Sequence, residues 1–129
     1  MIIDTHIHAY PTSDDSKMTL EEIVAQARII GLDGICITDH DSQEIMARAH
    51  EYRKQMGYPI FVGAEVLTWE GDVIVFGLER LPEERVSARY LLDLVNKANG
   101  VAISAHPFRQ NNRGMGNSIR EHKDLHGVE

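Results

Sequence analysis

We predict an α/β fold with a mainly parallel sheet, because two kinds of segment alternate along the chain. Short apolar runs, which are typical of strands covered on both faces, are followed by longer segments in which apolar residues recur at helical spacing. No internal repeat or low-complexity tract interrupts this order. In sheets of this kind, binding sites lie at the carboxyl ends of the strands.

Length and composition limit the class of protein. The 129 residues are the usual length of one domain, so we expect a single domain over residues 1–129. A formal net charge of −7 argues against an anionic membrane as partner, and against nucleic acid except as a small substrate. The only cysteine, Cys36, lies in an apolar run, which indicates a core thiol and fits a cytoplasmic protein. No apolar run approaches the ~20 residues of a membrane span.

The first strand is predicted to end in residues that suit a metal ion. Apolar residues 1–3 precede Asp4, His6 and His8, and residues two apart in a strand share one face. Neutral imidazole is the commonest metal ligand, and Asp4 is placed to orient a ring or to bind directly. An HxH pair also occurs by chance in edge strands, so the pair alone does not establish a metal site.

The elements that follow have clear local signals. A capping box at Thr19–Glu22 begins a helix that Gly31 ends. Residues 35–37 form a buried strand. The next helix is predicted to begin with Ser42 as its cap and to end at Gly57.

A hairpin and one more helix are predicted in the second half. Residues 60–69 form one strand, and residues 73–76 return as its partner. Residues 88–98 form a helix that Asn99 and Gly100 end, and residues 101–103 form the next strand.

The last segment is less regular. Residues 108–118 are polar and contain glycine, which indicates a loop that is either functional or mobile. Residues 119–126 are predicted to form a short helix, and residues 127–129 to begin a strand. We interpret His122 and His126, like His50, as helix-surface residues, because no third ligand is near them in sequence.

Four predicted strand ends carry histidine or acidic residues, and after the first strand these are Asp39, His40, Glu65 and His106. A set that mixes imidazoles with carboxylates and lacks thiolates suits Zn²⁺, Mn²⁺ or Fe²⁺. Two such cations ~3.5–4 Å apart can clamp a phosphoryl group and activate water, and Glu65 is the natural bridging carboxylate.

The motifs resemble those of one family in order and type. They are DxHxH at residues 4–8, TDHD at 38–41, GxE at 63–65 and AHP at 105–107. Together they resemble the PHP family, the polymerase and histidinol phosphatase metal-dependent phosphoesterases. The resemblance runs from residue 1 to about residue 108.

This resemblance implies a distorted (β/α)7-type barrel with up to three divalent metal ions at the strand ends. The metal ligands that it implies are His6, His8, Asp14, His40, Glu65 and His106, with Glu65 shared between two ions. Catalytic roles fall to Glu65 and to Asp39, the latter as a hydrogen-bonding partner of the ligands. Arg109, just after AHP, would bind substrate phosphate.

The chain also departs from the family pattern. Small members usually carry a histidine in the hairpin after GxE, where this chain has residues 69–73, and they close with a DxH motif that is missing here. The resemblance therefore implies incompletely occupied metal sites in a fold that is incomplete at its C-terminus. Either the gene product is truncated, or the missing ligands come from water, another chain or Asp72. An unfinished strand at residues 127–129 favours pairing with another copy, so we expect a homo-oligomer.

The predicted function is metal-dependent hydrolysis of a small phosphate ester by activated water. One alternative is a non-catalytic, metal-poor PHP module with a structural or protein-binding role. Another is an amidohydrolase barrel, which also opens with HxH but needs about twice this length. The sequence does not distinguish a nucleotide, a sugar phosphate, histidinol phosphate or a small oligonucleotide as substrate.

Overall fold

A computed structural model describes all residues 1–129, which divide into two compact units at residues 1–64 and 65–129. The seven strands form two separate sheets, with the orders β1-β2-β3 and β4-β5-β6-β7. No helix in the chain has both the length and the apolar character that crossing a bilayer requires.

The first unit is a parallel sheet with two helices. Its strands β1 (Ile3–Ile7), β2 (Gly34–Ile37) and β3 (Ile60–Val62) pair in parallel in that order. Helix α1 (Leu20–Ile29) follows β1, and helix α2 (Met46–Met56) follows β2. This is the predicted alternation of strands and helices.

One hydrophobic core holds the first unit together. All four residues of β2 are buried, so the polar residues that follow them emerge at the end of a fixed strand. A fully buried aliphatic side chain stabilises a fold by about 1.5–3 kcal/mol. The core consists mainly of residues from α1 and β2, with one residue of α2 and the first residue of β3; among them are Leu20, Ile23, Val24, Ala27, Ile35, Ile37, Ala49 and Ile60.

Helix α1 has the predicted ends. The Thr19 hydroxyl accepts a hydrogen bond from the Glu22 N–H, and the Glu22 carboxylate accepts one from the Thr19 N–H at 2.8 Å. These two bonds satisfy donors that a helix start leaves without partners. Gly31 follows the helix with a φ of +81°, in the region that glycine adopts most easily.

Helix α2 starts later than predicted. The Ser42 Oγ accepts a hydrogen bond from the Glu44 N–H at 3.2 Å in a turn that precedes the helix, and the helix begins at Met46. The prediction of Ser42 as the helix cap was therefore wrong. Gly57 ends α2 with a φ of +58°, as predicted.

The second unit is a mixed sheet with one α-helix. Strands β5 and β6 are antiparallel, whereas β6 and β7 are parallel. Helix α3 buries Leu91, Leu92 and Val95, and Asn99 follows it with a φ of +52°. The elements are β4 (Ala64–Leu67), β5 (Asp72–Phe76), α3 (Ala88–Lys97), β6 (Val101–Ser104), a 3₁₀ helix (Gly116–Glu121) and β7 (Gly127–Val128).

Two expectations about the strands were wrong. Residues 60–69 do not form one strand, because Gly63 separates β3 from β4 and these two strands belong to different sheets. The sheet of the second unit is not mainly parallel. The α/β class is confirmed, but two separate sheets form no closed barrel of the (β/α)7 type.

The last segment differs from its prediction as well. The 3₁₀ helix ends at Glu121, and His122 is only 8% exposed, so its interpretation as a surface residue was wrong. The Ala102 N–H donates to Nδ1 of His126 at 3.2 Å, which fixes that ring against β6. β7 lies at the edge of its sheet, and self-association through this edge stays a prediction.

Candidate metal centres

The end of β1 carries two imidazoles that face each other. The Nε2 atoms of His6 and His8 are 3.2 Å apart. Two nitrogens that bind one tetrahedral Zn²⁺ at about 2.0–2.1 Å are separated by roughly 3.3 Å. The alternation of residues in the strand therefore produces a spacing that suits one shared cation.

Asp15 lies between the imidazoles of His8 and His40. The Nδ1 atom of His8 is 3.0 Å from Oδ1 and 3.1 Å from Oδ2 of Asp15. The Nε2 atom of His40 is 3.1 Å from the same Oδ2. Each of these three residues offers one ligand atom, and the three atoms lie within 4.8 Å of one another. The ends of β1 and β2 thus meet around one carboxylate.

Asp15 is held in its ionised form. Burial alone would raise its pKa, but hydrogen bonds from His8 and Ser13 and the charges of His8 and His40 outweigh that effect and lower the pKa to about 2. The Ser13 Oγ donates to Oδ1 of Asp15 at 2.7 Å. Only an ionised carboxylate competes well for a cation, so Asp15 is ready to bind one at neutral pH.

The structure places Asp15, rather than Asp14, beside His40. Both residues are exposed, but Asp15 contacts both imidazoles. The family resemblance implied Asp14 as the ligand beside His40. The two carboxylates are adjacent in an irregular loop, and only the path of that loop decides which one turns towards the histidines.

Asp39 supports this cluster from the end of β2. Its Oδ1 accepts a hydrogen bond from the Ala9 N–H at 2.8 Å, and its Oδ2 accepts one from the Thr12 hydroxyl. Asp39 is only 1% exposed, and Ala9 is fully buried. Asp39, which was predicted to be catalytic, therefore binds the loop that carries Asp15. Through these contacts it positions Asp15.

Glu65, Asp72 and His106 form a second cluster, in the second unit. The Nε2 atom of His106 is 2.8 Å from Oε1 of Glu65 and 3.8 Å from Oδ2 of Asp72. Both carboxylates are buried, with side-chain exposures of 1% and 0%. Ligand atoms from these three residues also lie within 4.8 Å of one another. Two buried carboxylates within 4.8 Å of each other need positive charge nearby to offset the cost of their burial.

Arg113 supplies one positive charge. Its Nε donates to Oδ2 of Asp72 at 2.7 Å, and its Nη2 donates to Oδ1 at 2.9 Å. Burial raises the pKa of Asp72; the hydrogen bonds from Arg113 oppose this rise, while the charge of Glu65 adds to it. Sequence reasoning missed Arg113, because it lies in a polar loop with no motif around it.

The loop after His106 is fixed by close packing against the turn between β4 and β5. Gly71 has a φ of +146°, and a Cβ at this position would lie 2.5 Å from the backbone nitrogen of Met115. His106 itself has a φ of +29°, which is uncommon for a residue with a side chain and often marks functional sites. Its N–H donates to Oε2 of Glu129 at 2.9 Å.

Other site predictions are not decided by these contacts. Arg109 is exposed, and its N–H donates to the carbonyl oxygen of His106 at 2.9 Å. Its role in phosphate binding stays a prediction. The shared-ligand role of Glu65, and the convergence of His6 and His8 with Glu65 and His106, stay predictions too.

The donor atoms fit a divalent cation. Each cluster combines imidazole nitrogen with carboxylate oxygen and contains no thiolate, and this donor set suits Zn²⁺, Mn²⁺ or Fe²⁺. In each cluster a carboxylate orients an imidazole ring, as supporting residues do in known metal sites.

Comparison with known proteins identifies one matching family model and several related proteins. Residues 4–120 match the family model described as the PHP domain. An uncharacterized protein of Methanocaldococcus jannaschii is 26% identical over 138 residues, with 100% of this chain and 80% of that protein covered. A "Probable histidinol-phosphatase" of Thermotoga maritima is 27% identical, with 70% and 46% covered. A "Probable phosphatase" of Caldicellulosiruptor saccharolyticus is 37% identical, with 55% and 34% covered.

The fold is also found in a solved structure. A crystal structure described as a "putative metal-dependent phosphoesterase" from Bifidobacterium adolescentis superposes with a TM-score of 0.81 at 17% identity, covering 98% of this chain and 76% of that chain. This likeness shows a shared fold. The chain spans less than half the length of the two relatives named as phosphatases.

Proposed function

The chain belongs to the PHP domain family, and on this premise we propose that it hydrolyses phosphate esters with the help of divalent metal ions. The ionised Asp15 between the imidazoles of His8 and His40 supports this function most directly. A carboxylate with a pKa of about 2, held between two imidazoles, is suited to bind a cation at neutral pH. The names of the phosphatase relatives support the same reaction class.

The proposed ligands form two sets. The ligands in the first unit would be His6, His8, Asp15 and His40, where Asp15 takes the role that the family resemblance implied for Asp14. In the second unit they would be Glu65, Asp72 and His106. We further propose Glu65 as a shared ligand, as the family resemblance implies. Up to three ions, of Zn²⁺, Mn²⁺ or Fe²⁺, are compatible with these donors.

A bound divalent cation would lower the pKa of a coordinated water and stabilise the negative charge that develops on the phosphoryl oxygens. The protein's own residues place these charges. Asp39 holds the loop that carries Asp15 through Ala9 and Thr12, and Arg109 is the proposed contact for substrate phosphate. An imidazole or a bound water would give a proton to the leaving oxygen.

The substrate is proposed only as a class, a small phosphate monoester or diester. One relative, from Eggerthella lenta, is named as a "Phosphoribosyl 1,2-cyclic phosphate 1,2-diphosphodiesterase", while others are named as phosphatases. Both ester types therefore belong in the test.

Hydrolysis by the purified chain tests this function. The substrates are p-nitrophenyl phosphate and bis(p-nitrophenyl) phosphate, each with Mn²⁺, with Zn²⁺ and with excess chelator. We expect release of nitrophenol that chelation removes and that His40→Asn reduces strongly. His50→Asn, a matched change of an exposed histidine on α2, should retain the activity. A chain that binds cations but hydrolyses neither ester would instead be the non-catalytic PHP module.

A further inference from the structure

We propose that Arg113 competes with a divalent cation for Asp72, so that a cation binds at Glu65, Asp72 and His106 only when the guanidinium gives up this carboxylate. The inference rests on the metal-dependent function proposed above. It adds a residue that controls how readily the second cluster takes up its ion.

The competition follows from which oxygen each partner uses. Oδ2 of Asp72 is the oxygen that lies 3.8 Å from Nε2 of His106, so a cation shared by these two residues would use it. The same Oδ2 accepts the 2.7 Å hydrogen bond from Nε of Arg113. A guanidinium this close also repels a cation, and burial strengthens that repulsion.

The charge balance shows why one of the two partners is needed. Glu65 and Asp72 are buried carboxylates beside one imidazole, and burial of charge without compensation is costly. Arg113 pairs with both oxygens of Asp72. Its guanidinium neutralises negative charge that a bound cation would otherwise neutralise. The two compensating charges are therefore alternatives for the same carboxylate.

The exchange requires only a side-chain movement. The Arg113 side chain is 32% exposed, whereas the Asp72 side chain is fully buried. The backbone at these positions is tied together, because the Asp72 N–H donates to the carbonyl oxygen of Arg113 at 2.7 Å. The packing of Gly71 against Met115 holds the same stretch of loop in place. The guanidinium can thus turn to solvent while its loop stays fixed.

Variants at Arg113 test the competition through zinc affinity. We expect Arg113→Met to bind Zn²⁺ at this cluster about ten-fold or more tightly than the unchanged chain, because hydrogen bonds to charged groups are typically worth that much in an equilibrium constant. Arg113→Lys, which cannot pair with both oxygens, should show a smaller increase. Arg120→Met removes the same charge from an exposed position and should change affinity by no more than about two-fold. Affinity that is equal or lower in Arg113→Met would overturn the proposal.

A titration of the unchanged chain gives a second measurement that does not depend on a variant. Zn²⁺ is added while ¹⁵N NMR follows the imidazole of His106 and the Nε–H of Arg113. We expect both sets of signals to shift over the same range of zinc concentration. A shift at His106 with no change at Arg113, or no zinc binding at His106 at all, would overturn the competition.

These measurements are separate from the test of hydrolysis. A chain that hydrolyses phosphate esters while its zinc affinity is insensitive to Arg113→Met would contradict the competition and leave the proposed function intact. A chain in which zinc displaces Arg113 but no ester is hydrolysed would contradict the function and support the competition.

Discussion

The carboxylate of Asp39 accepts a hydrogen bond from the backbone N–H of Ala9 at 2.8 Å, and this bond joins the end of β2 to the loop that follows β1. The same carboxylate accepts a hydrogen bond from Thr12, further along that loop. Asp15 lies in this loop and His40 directly follows Asp39, so one buried residue ties the loop that carries Asp15 to the strand end that carries His40.

We predict that Asp39→Ala lowers the free energy of unfolding by about 2–3 kcal/mol, because the buried N–H of Ala9 then lacks its acceptor. Urea unfolding followed by circular dichroism measures the change. Asp14→Ala, which removes an exposed carboxylate from the same loop, should stay within about 0.5 kcal/mol of the unchanged chain. Equal stability of the two variants would contradict the role given to Asp39.

The adjacent aspartates allow a matched test of the first cluster. Asp15→Asn should weaken Zn²⁺ binding about 10- to 100-fold, because Asn is uncharged and cannot hold His8 and His40 in the same way. Asp14→Asn should have little effect, since the carboxylate that contacts His8 and His40 is that of Asp15. Isothermal titration calorimetry of the purified variants measures their Zn²⁺ affinities. A larger loss of affinity in Asp14→Asn than in Asp15→Asn would show that Asp14 is the ligand.

Glu65→Gln is predicted to reduce ester hydrolysis about 100-fold or more while leaving the fold intact. Gln has nearly the same shape but lacks the charge that Glu65 places 2.8 Å from the His106 imidazole. Turnover of p-nitrophenyl phosphate measures the loss. Glu84→Gln, at an exposed position, is the control. Near-full turnover in Glu65→Gln would remove this residue from the mechanism.

Two glycines with positive φ should differ in their tolerance of alanine. At Gly57 a Cβ meets nothing within 4 Å, so Gly57→Ala should cost only about 1–2 kcal/mol of backbone strain. At Gly71 the Cβ would also lie 2.5 Å from the Met115 nitrogen, so Gly71→Ala should cost more than about 3 kcal/mol. Chemical denaturation of both variants measures the two losses in free energy of unfolding. Equal losses would show that the loop after His106 moves to accommodate the added Cβ.

Cys36 should be nearly inert in the folded protein. Burial, with a smaller contribution from the charge of Asp4, raises the pKa of its thiol from 9.0 to about 11. Since the thiolate is the reactive form, alkylation by iodoacetamide at pH 8 should be about 100-fold slower in the native chain than in urea. Similar rates in both conditions would mean that the thiol is accessible.

The same shift predicts how stability depends on pH. The folded chain holds the Cys36 proton more tightly than the unfolded chain, so this contribution is complete below pH 9 and is lost as the pH rises to about 11. Unfolding experiments between these values should show a steeper loss of stability in the unchanged chain than in Cys36→Ala. An identical pH dependence in the two would contradict the predicted shift.

Much of the local structure could be predicted because its causes are local. The capping box at Thr19 and Glu22, the buried strand β2 and the left-handed residue Asn99 after α3 depend on neighbouring residues alone. The errors arose where distant segments decide the outcome. Gly63 separates β3 from β4 because these strands pair with different partners, and pairing partners cannot be deduced from hydrophobic pattern.

The sequence by itself determined the family, the α/β class and the residue types that can bind a metal, because motif order and the alternation of residues along a strand are properties of the chain. Only the tertiary structure decided that Asp15 faces His40, that Asp39 engages Ala9 and Thr12, and that Arg113 pairs with Asp72. These three contacts join residues in irregular loops to residues far along the chain. Such loops have no periodicity to indicate where their side chains point, so their charges find partners only when packing fixes the path of the backbone.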